Sequence, residues 1–233
     1  MANHPKPTSA PLTTLTEPDL AVLQSEPLLD SVGQALCDQG WWLGDAAVDP
    51  DLTRALRADL ETLRARDALE RAGIGRDLDF QLAERVRGDR IHWLSRANAV
   101  QTRLLDQMEA LRLTLNQGLF LGLFEFEAHY AYYPPGSFYR RHLDSFRGAA
   151  NRIVSAVIYL NEDWGEDDGG ELVLYAETSS VELARIAPRA GRMVLFLSEE
   201  LPHEVLPAQR DRYSIAGWYR LNASVNNQID PAR

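Results

Sequence analysis

From residue 124 onward the chain breaks into eight short apolar segments, 124–133, 138–144, 152–160, 171–175, 181–186, 192–197, 203–205 and 213–221, divided by Gly, Pro, Asp and Asn. Short apolar runs bounded by turn residues read as strands, and so many at close spacing fold into a sandwich or barrel. The expected fold class is mainly β with supporting α-helices.

The helices lie ahead of the strands. Residues 28–36 have helical spacing and stop near Gly40, before the short apolar run Trp41-Trp42-Leu43. Residues 50–69 carry Leu52, Leu56, Leu60 and Leu63 on one stripe and Arg and Asp on the other, and 97–119 carry Val100, Leu104, Leu105, Met108 and Leu111. Such stripes support a sheet rather than do chemistry. Between them, 73–84 is a Gly- and Asp-containing loop, a candidate lid with Gly73 and Gly75, and 85–94 reads as a hairpin turning at Gly88-Asp89. One domain is expected over 23–221, with helical support at 23–120 and the β-region at 121–221. It lies between a disordered tail at 1–22 and a polar tail at 222–233.

Composition narrows the partners. A net charge of −10 over 233 residues opposes general nucleic-acid binding, which needs clustered Lys and Arg. Arg140, Arg141, Arg147 and Arg152 are a local exception, expected as a substrate-facing rim. Cys37 is the one cysteine, so no disulfide forms within the chain and a reducing cytoplasm suits it. Residues 1–17 hold Pro5, Pro7 and Pro11 but no apolar core of a signal peptide, and no run reaches transmembrane length. A soluble cytoplasmic protein is expected.

His142, Asp144, His203 and Arg212 carry the chemistry. His142 and Asp144 are separated by one residue, and in an extended segment side chains at i and i+2 project to the same side. His203 follows the polar turn 198–202 and opens a new strand. Two His and one carboxylate on one face of a metal leave adjacent positions free, the facial triad of non-haem Fe(II) oxygenases. By alternation Arg212, Ser214, Ala216 and Trp218 share a face, and a guanidinium on an inward face needs an anion. A lone His-x-Asp is weak evidence, but the ordered tetrad is specific. The other histidines, His4, His92 and His129, read as structural or solvent-facing.

These residues resemble the Fe(II)- and 2-oxoglutarate-dependent prolyl hydroxylases, in the branch of the hypoxia-inducible-factor prolyl hydroxylases and their bacterial relatives. Six blocks carry the resemblance: Gly88-Asp89-Arg90-Ile91-His92-Trp93, Tyr133-Pro134, Tyr139-Arg140-Arg141-His142-Leu143-Asp144, Ile158-Tyr159-Leu160-Asn161-Glu162-Asp163-Trp164, Gly169-Gly170 and Pro202-His203-Glu204-Val205. A seventh runs from Arg212 through Trp218 to Tyr219. The resemblance implies a double-stranded β-helix, a jelly-roll, cupin-like barrel. It implies Fe(II) on His142, Asp144 and His203, with 2-oxoglutarate and O2 as cosubstrates and ascorbate supporting activity. It places Arg212 and Tyr159 at the distal carboxylate of 2-oxoglutarate, and Tyr133 and Trp218 in the pocket. It places Arg152, Arg140, Tyr139 and Trp218 toward a protein substrate that presents a proline in a flexible loop, such as a loop of a translation factor like elongation factor Tu. Two features depart from the animal enzymes: the shorter turn Pro134-Pro135-Gly136-Ser137, and Ala216 where they carry a hydroxyl.

On residues alone, other readings stay open. The same centre could oxidise another residue or a small molecule, or the chain could be a metal- and oxygen-sensing module or a structural barrel.

Overall fold

The computed structural model describes residues 26–72, 86–145, 151–221, 224–225 and 228–229. The 1–22 tail, the candidate lid at 73–84, Arg147 and most of the 222–233 tail lie outside the described residues.

In chain order the elements are α1 (Glu26–Gln39), β1 (Trp41–Gly44), α2 (Pro50–Ala65), β2 (Glu70–Arg71), β3 (Arg90–Trp93), α3 (Ala99–Leu119), β4 (Glu125–Tyr133), β5 (Tyr139–His142), β6 (Arg152–Tyr159), β7 (Leu172–Tyr175), β8 (Glu182–Ile186), β9 (Met193–Leu197), β10 (His203–Val205), β11 (Arg212–Arg220) and a short ribbon of β12 (Ser224–Val225) and β13 (Gln228–Ile229). The eight segments read from the sequence are β4 to β11. They form two antiparallel sheets, a major one in the order β1-β9-β6-β11-β4-β3-β2 and a minor one in the order β5-β10-β7-β8. This is a jelly roll flanked by helices.

Alternation sorts the side chains into two buried clusters. From the major sheet, Tyr130, Tyr132, Val154, Ile158, Met193, Leu195, Tyr213, Ile215 and Tyr219 turn outward and pack with the helical residues Leu52, Leu56, Leu60, Leu104, Met108 and Leu111. Ala131, Tyr133, Tyr159, Val194 and Phe196 turn inward and meet Leu172, Leu174, Ile186 and Val205 of the minor sheet. The inward face therefore belongs to the space between the sheets, where the site lies.

The helices are tied down by caps and by buried polar contacts. Asp49 caps α2 by accepting from the peptide N–H groups of Asp51 and Leu52, with Pro50 opening the first turn. Within α2, Asp59 accepts from the Tyr130 hydroxyl of β4 at 2.9 Å and from Gln101 of α3 at 2.8 Å. One carboxylate thus joins two helices to the sheet.

Two local expectations are corrected. Trp41-Trp42-Leu43, read as part of the helical support, is β1, an edge strand whose partner is β9 some 150 residues on. Gly88-Asp89 is not a hairpin turn. Before it, the peptide N–H of Arg140 donates to Val86 O at 2.8 Å and that of Gly88 to Phe138 O at 2.9 Å, which attaches the segment to β5 of the minor sheet. After it, β3 pairs with β4 and β2 of the major sheet. The dipeptide carries the chain from one sheet to the other.

Candidate metal centre

His203 lies directly opposite His142 in the β10–β5 ladder, and their rings are 4.3 Å apart. Asp144 sits two residues past His142, beyond the end of β5, in a bend rather than in the strand. One ligand atom from each of His142, Asp144 and His203 lies within 4.8 Å of the others. Asp144 Oδ1 is 3.5 Å from His142 Nε2, and its Oδ2 is 3.6 Å from His203 Nε2.

Both imidazoles are held in the tautomer a metal needs. His142 Nδ1 is 2.8 Å from Arg140 O and His203 Nδ1 is 3.1 Å from Leu201 O. A carbonyl only accepts, so each Nδ1 carries the proton and each Nε2 presents its lone pair to the centre. Burial pushes His203 down to about 4, which keeps it neutral at physiological pH. Burial pushes the Asp144 carboxyl up, while the His203 and His142 imidazoles, when they carry a second proton, and the Ser155 hydroxyl pull it the other way and hold it below the usual carboxylate range. Two imidazoles and a carboxylate form a donor set suited to a divalent first-row metal.

These residues line a cavity of about 320 Å³ that also takes in Arg212, Tyr133, Tyr139, Ser214, Ala216, Trp218 and Arg152. At one end Arg212 is 1% exposed; its Nε donates to Gly170 O at 2.8 Å and its Nη1 to Ser214 Oγ at 3.1 Å. Gly170 has a positive φ of 69°, and a Cβ there would come within 3.1 Å of Arg212 Cδ and 2.9 Å of Ala208 Cβ, so glycine meets both demands at once. The Arg212 guanidinium lies 5.0 Å from the Tyr133 ring centre and 5.3 Å from that of Tyr159. The Tyr159 hydroxyl is buried without a hydrogen-bond partner, and burial pushes it up to about 12. A buried cation without a carboxylate partner among the described residues, next to an unpartnered donor, fits the carboxylate of a small acid.

The other end is aromatic. Arg152 stacks over the Trp218 ring at 3.6 Å and pairs with Glu127 at 3.0 Å. Tyr139 stacks on the His142 ring, with centroids 3.6 Å apart. Arg140 is exposed and does not line the cavity, while Arg141 donates to the carbonyls of Ala176 and Ser179 and so holds the β7–β8 turn.

Four cavity residues escaped the sequence reading. His129 is buried, with Nδ1 3.1 Å from Tyr130 O and its ring between Trp93 and Trp218 at 5.2 and 5.5 Å. Its parity with Ala131 and Tyr133 on β4 was the available signal. Trp93 also lines the cavity and is partly exposed. Arg87 forms a two-pronged pair with buried Asp89, at 2.7 and 2.5 Å, and lies over the Tyr139 ring at 4.5 Å. Ser155 touches the Asp144 carboxylate at 2.6 Å.

The fold and the donor set define a class of enzyme, the 2-oxoglutarate/Fe(II) dioxygenases. Residues 128–220 match the 2OG-Fe(II) oxygenase superfamily. A prolyl-4-hydroxylase of Pseudomonas putida is 45% identical, with a TM-score of 0.74 over 84% of this chain and 100% of that one. A prolyl hydroxylase in complex with a hypoxia inducible factor oxygen degradation domain peptide fragment, from Trichoplax adhaerens, gives 0.76 at 26% identity, covering 89% and 94%. Human prolyl hydroxylase EGLN3 is 31% identical over 205 residues, 83% of this chain and 80% of the relative. Other animal relatives are longer, and the matches span 12% to 33% of their length. The chain belongs to the prolyl hydroxylase family of 2-oxoglutarate-dependent dioxygenases, whose cofactor is Fe(II) and whose cosubstrates are 2-oxoglutarate and O2. No helix among the described residues is long and apolar enough to cross a membrane.

Proposed function

We propose that this chain hydroxylates C4 of a prolyl residue in a protein substrate, with His142, Asp144 and His203 as iron ligands and Arg212 and Tyr159 as the carboxylate-binding pair for 2-oxoglutarate. One observation carries the reading: the ligand triad and the buried Arg212 line one cavity. When bound, iron with 2-oxoglutarate and dioxygen supplies the oxidation, yielding succinate and carbon dioxide and placing one oxygen atom on the substrate carbon.

The chain's own residues bind and orient. His142 and His203 hold their Nε2 lone pairs toward the centre through backbone acceptors, and Asp144 adds the one negative charge. Arg212 offers a planar fork, and a fork suits a carboxylate better than a point charge does. Tyr133, inward on β4 beside Arg212, walls the cosubstrate end. Trp218 presents a flat face to a prolyl ring, and the stacked Arg152 keeps that face oriented. Arg152 and Tyr139, with Arg140 outside the cavity, form the rim for an extended peptide. No side chain needs to remove a proton from C4 in this chemistry. The finer identity of the target, a proline in a flexible loop of a translation factor such as elongation factor Tu, rests on family resemblance alone. The cytoplasm is the proposed compartment.

The test is mass spectrometry of a proteome from cells lacking this protein, incubated with enzyme, Fe(II), 2-oxoglutarate and ascorbate. The expected result is a gain of one oxygen on a proline, absent when Asp144→Ala replaces the enzyme. Succinate without a modified proline moves the substrate to another residue or a small molecule, and no succinate at all favours the sensing module.

A further inference from the structure

Asp144 lies outside the strand that carries His142, so no strand ladder fixes its carboxylate. The two histidines are locked by backbone carbonyls, and Asp144 is held by a different device. Ser155 Oγ on β6 donates to Asp144 Oδ2 at 2.6 Å, and Ser155 Oγ lies 2.9 Å from Ser198 Oγ. Both serines are buried, at 1% and 0% exposed.

The direction of these bonds follows from counting protons. An ionised carboxylate only accepts, so the single Ser155 proton points to Asp144. The proton between the two serines must then come from Ser198. The string runs one way, from Ser198 to Ser155 to Asp144, and each bond polarises the next toward the carboxylate.

The string also spans the elements that bear the ligands. Ser198 directly follows β9, its peptide N–H donates to Ile153 O at 3.0 Å, and it opens the turn 198–202 that ends at His203. Ser155 lies across from Phe196 of β9 and from Trp218 of β11. The carboxylate is thus referenced to β6 and β9, neighbouring strands of the major sheet, although its own segment follows a strand of the minor one.

We propose that Ser155 and Ser198 are positioning residues for the metal centre: by occupying Oδ2, the string holds Asp144 in one rotamer and presents Oδ1, 3.5 Å from His142 Nε2, as the single ligating oxygen. This rests on the reading of Asp144 as a metal ligand, and the experiment separates the two. Mn(II), which accepts the same nitrogen and oxygen donors, is titrated calorimetrically into metal-free protein. Wild type binds Mn(II) and Asp144→Ala does not. Ser155→Ala raises the Mn(II) Kd about 10- to 100-fold, the usual cost of losing a partner behind a ligand. Ser198→Ala produces a smaller rise, and adding it to Ser155→Ala changes nothing further, because the string is already cut. Ser155→Thr keeps the hydroxyl and restores binding. A purely structural role would lower the metal-free Tm and leave the Kd alone. Wild-type Kd in folded Ser155→Ala, or in folded Ser198→Ala should Ser155→Ala fail to fold, overturns the string while leaving the ligand reading intact. Absence of Mn(II) binding by wild type, or its retention in Asp144→Ala, overturns both.

Discussion

The guanidinium carbon of Arg212 lies 5.3 Å from the centre of the Tyr159 ring, and the Tyr159 hydroxyl is buried with no hydrogen-bond partner. A cavity-lining guanidinium with no carboxylate partner among the described residues, beside a hydroxyl with no acceptor, fits a ligand's anionic end. The register builds this pair: Ser214, which accepts from Arg212, is directly opposite Tyr159 in the β11–β6 ladder.

Arg212→Lys retains the charge and loses the planar fork. The 2-oxoglutarate requirement is expected to rise about 10- to 100-fold, the range for a lost hydrogen bond to a charged group. Succinate formation against 2-oxoglutarate concentration measures it. An unchanged KM would remove Arg212 from the binding role.

Tyr159→Phe separates binding from folding. Without cosubstrate the hydroxyl has no partner, and an unsatisfied buried polar group costs about 1–3 kcal/mol. The cosubstrate-free variant should therefore be as stable as wild type or more so in urea, while binding 2-oxoglutarate more weakly. Loss of stability with intact affinity would make Tyr159 a core residue only.

His129 makes stability depend on pH. Burial, aided by the Arg87 charge, lowers its imidazole from the ordinary 6.5 to about 4. Below 6.5 the unfolded chain takes the proton and the folded chain does not, so stability is full above that pH, falls as pH drops, and stops falling near 4. The full effect is on the order of 3 kcal/mol. Urea midpoints of metal-free wild type and His129→Gln at pH 7 and 5 should show the larger loss in wild type. Equal losses would refute the assignment.

Glu127 joins two cations, pairing with Arg152, which lines the cavity, and with Arg220, at 3.0 Å each. Glu127 and Arg220 are both buried, so Glu127→Gln removes a carboxylate that two cations share, at an expected cost of about 3 kcal/mol. Arg220 keeps Glu125 at 3.0 Å, which places the cost at the low end. A change within 0.5 kcal/mol, roughly that of an ordinary surface substitution, would show the pair to be solvated.

The eight strands were legible because the period of two writes the sheet face into the residue order. The same parity placed Arg212, Ser214, Ala216 and Trp218 on the inner face, and could have found His129. Trp41-Trp42-Leu43 is too short to show a period, and only its pairing with β9 makes it a strand. Gly88-Asp89 has the composition of a hairpin turn, but the partners of the flanking residues are distant strands, and local chemistry cannot choose between them.

The sequence by itself determined which residue types could hold iron and an acid, their order, and the shared face of Arg212, Ser214, Ala216 and Trp218, because alternation and donor chemistry are local properties. The tertiary structure decided that His142 and His203 stand opposite each other, that Asp144 leaves its strand and is caught by Ser155 and Ser198, and that Arg212 and Tyr159 converge. Those are relations between residues 11 to 61 positions apart, set by strand pairing and by the packing of two sheets rather than by any neighbour in the chain.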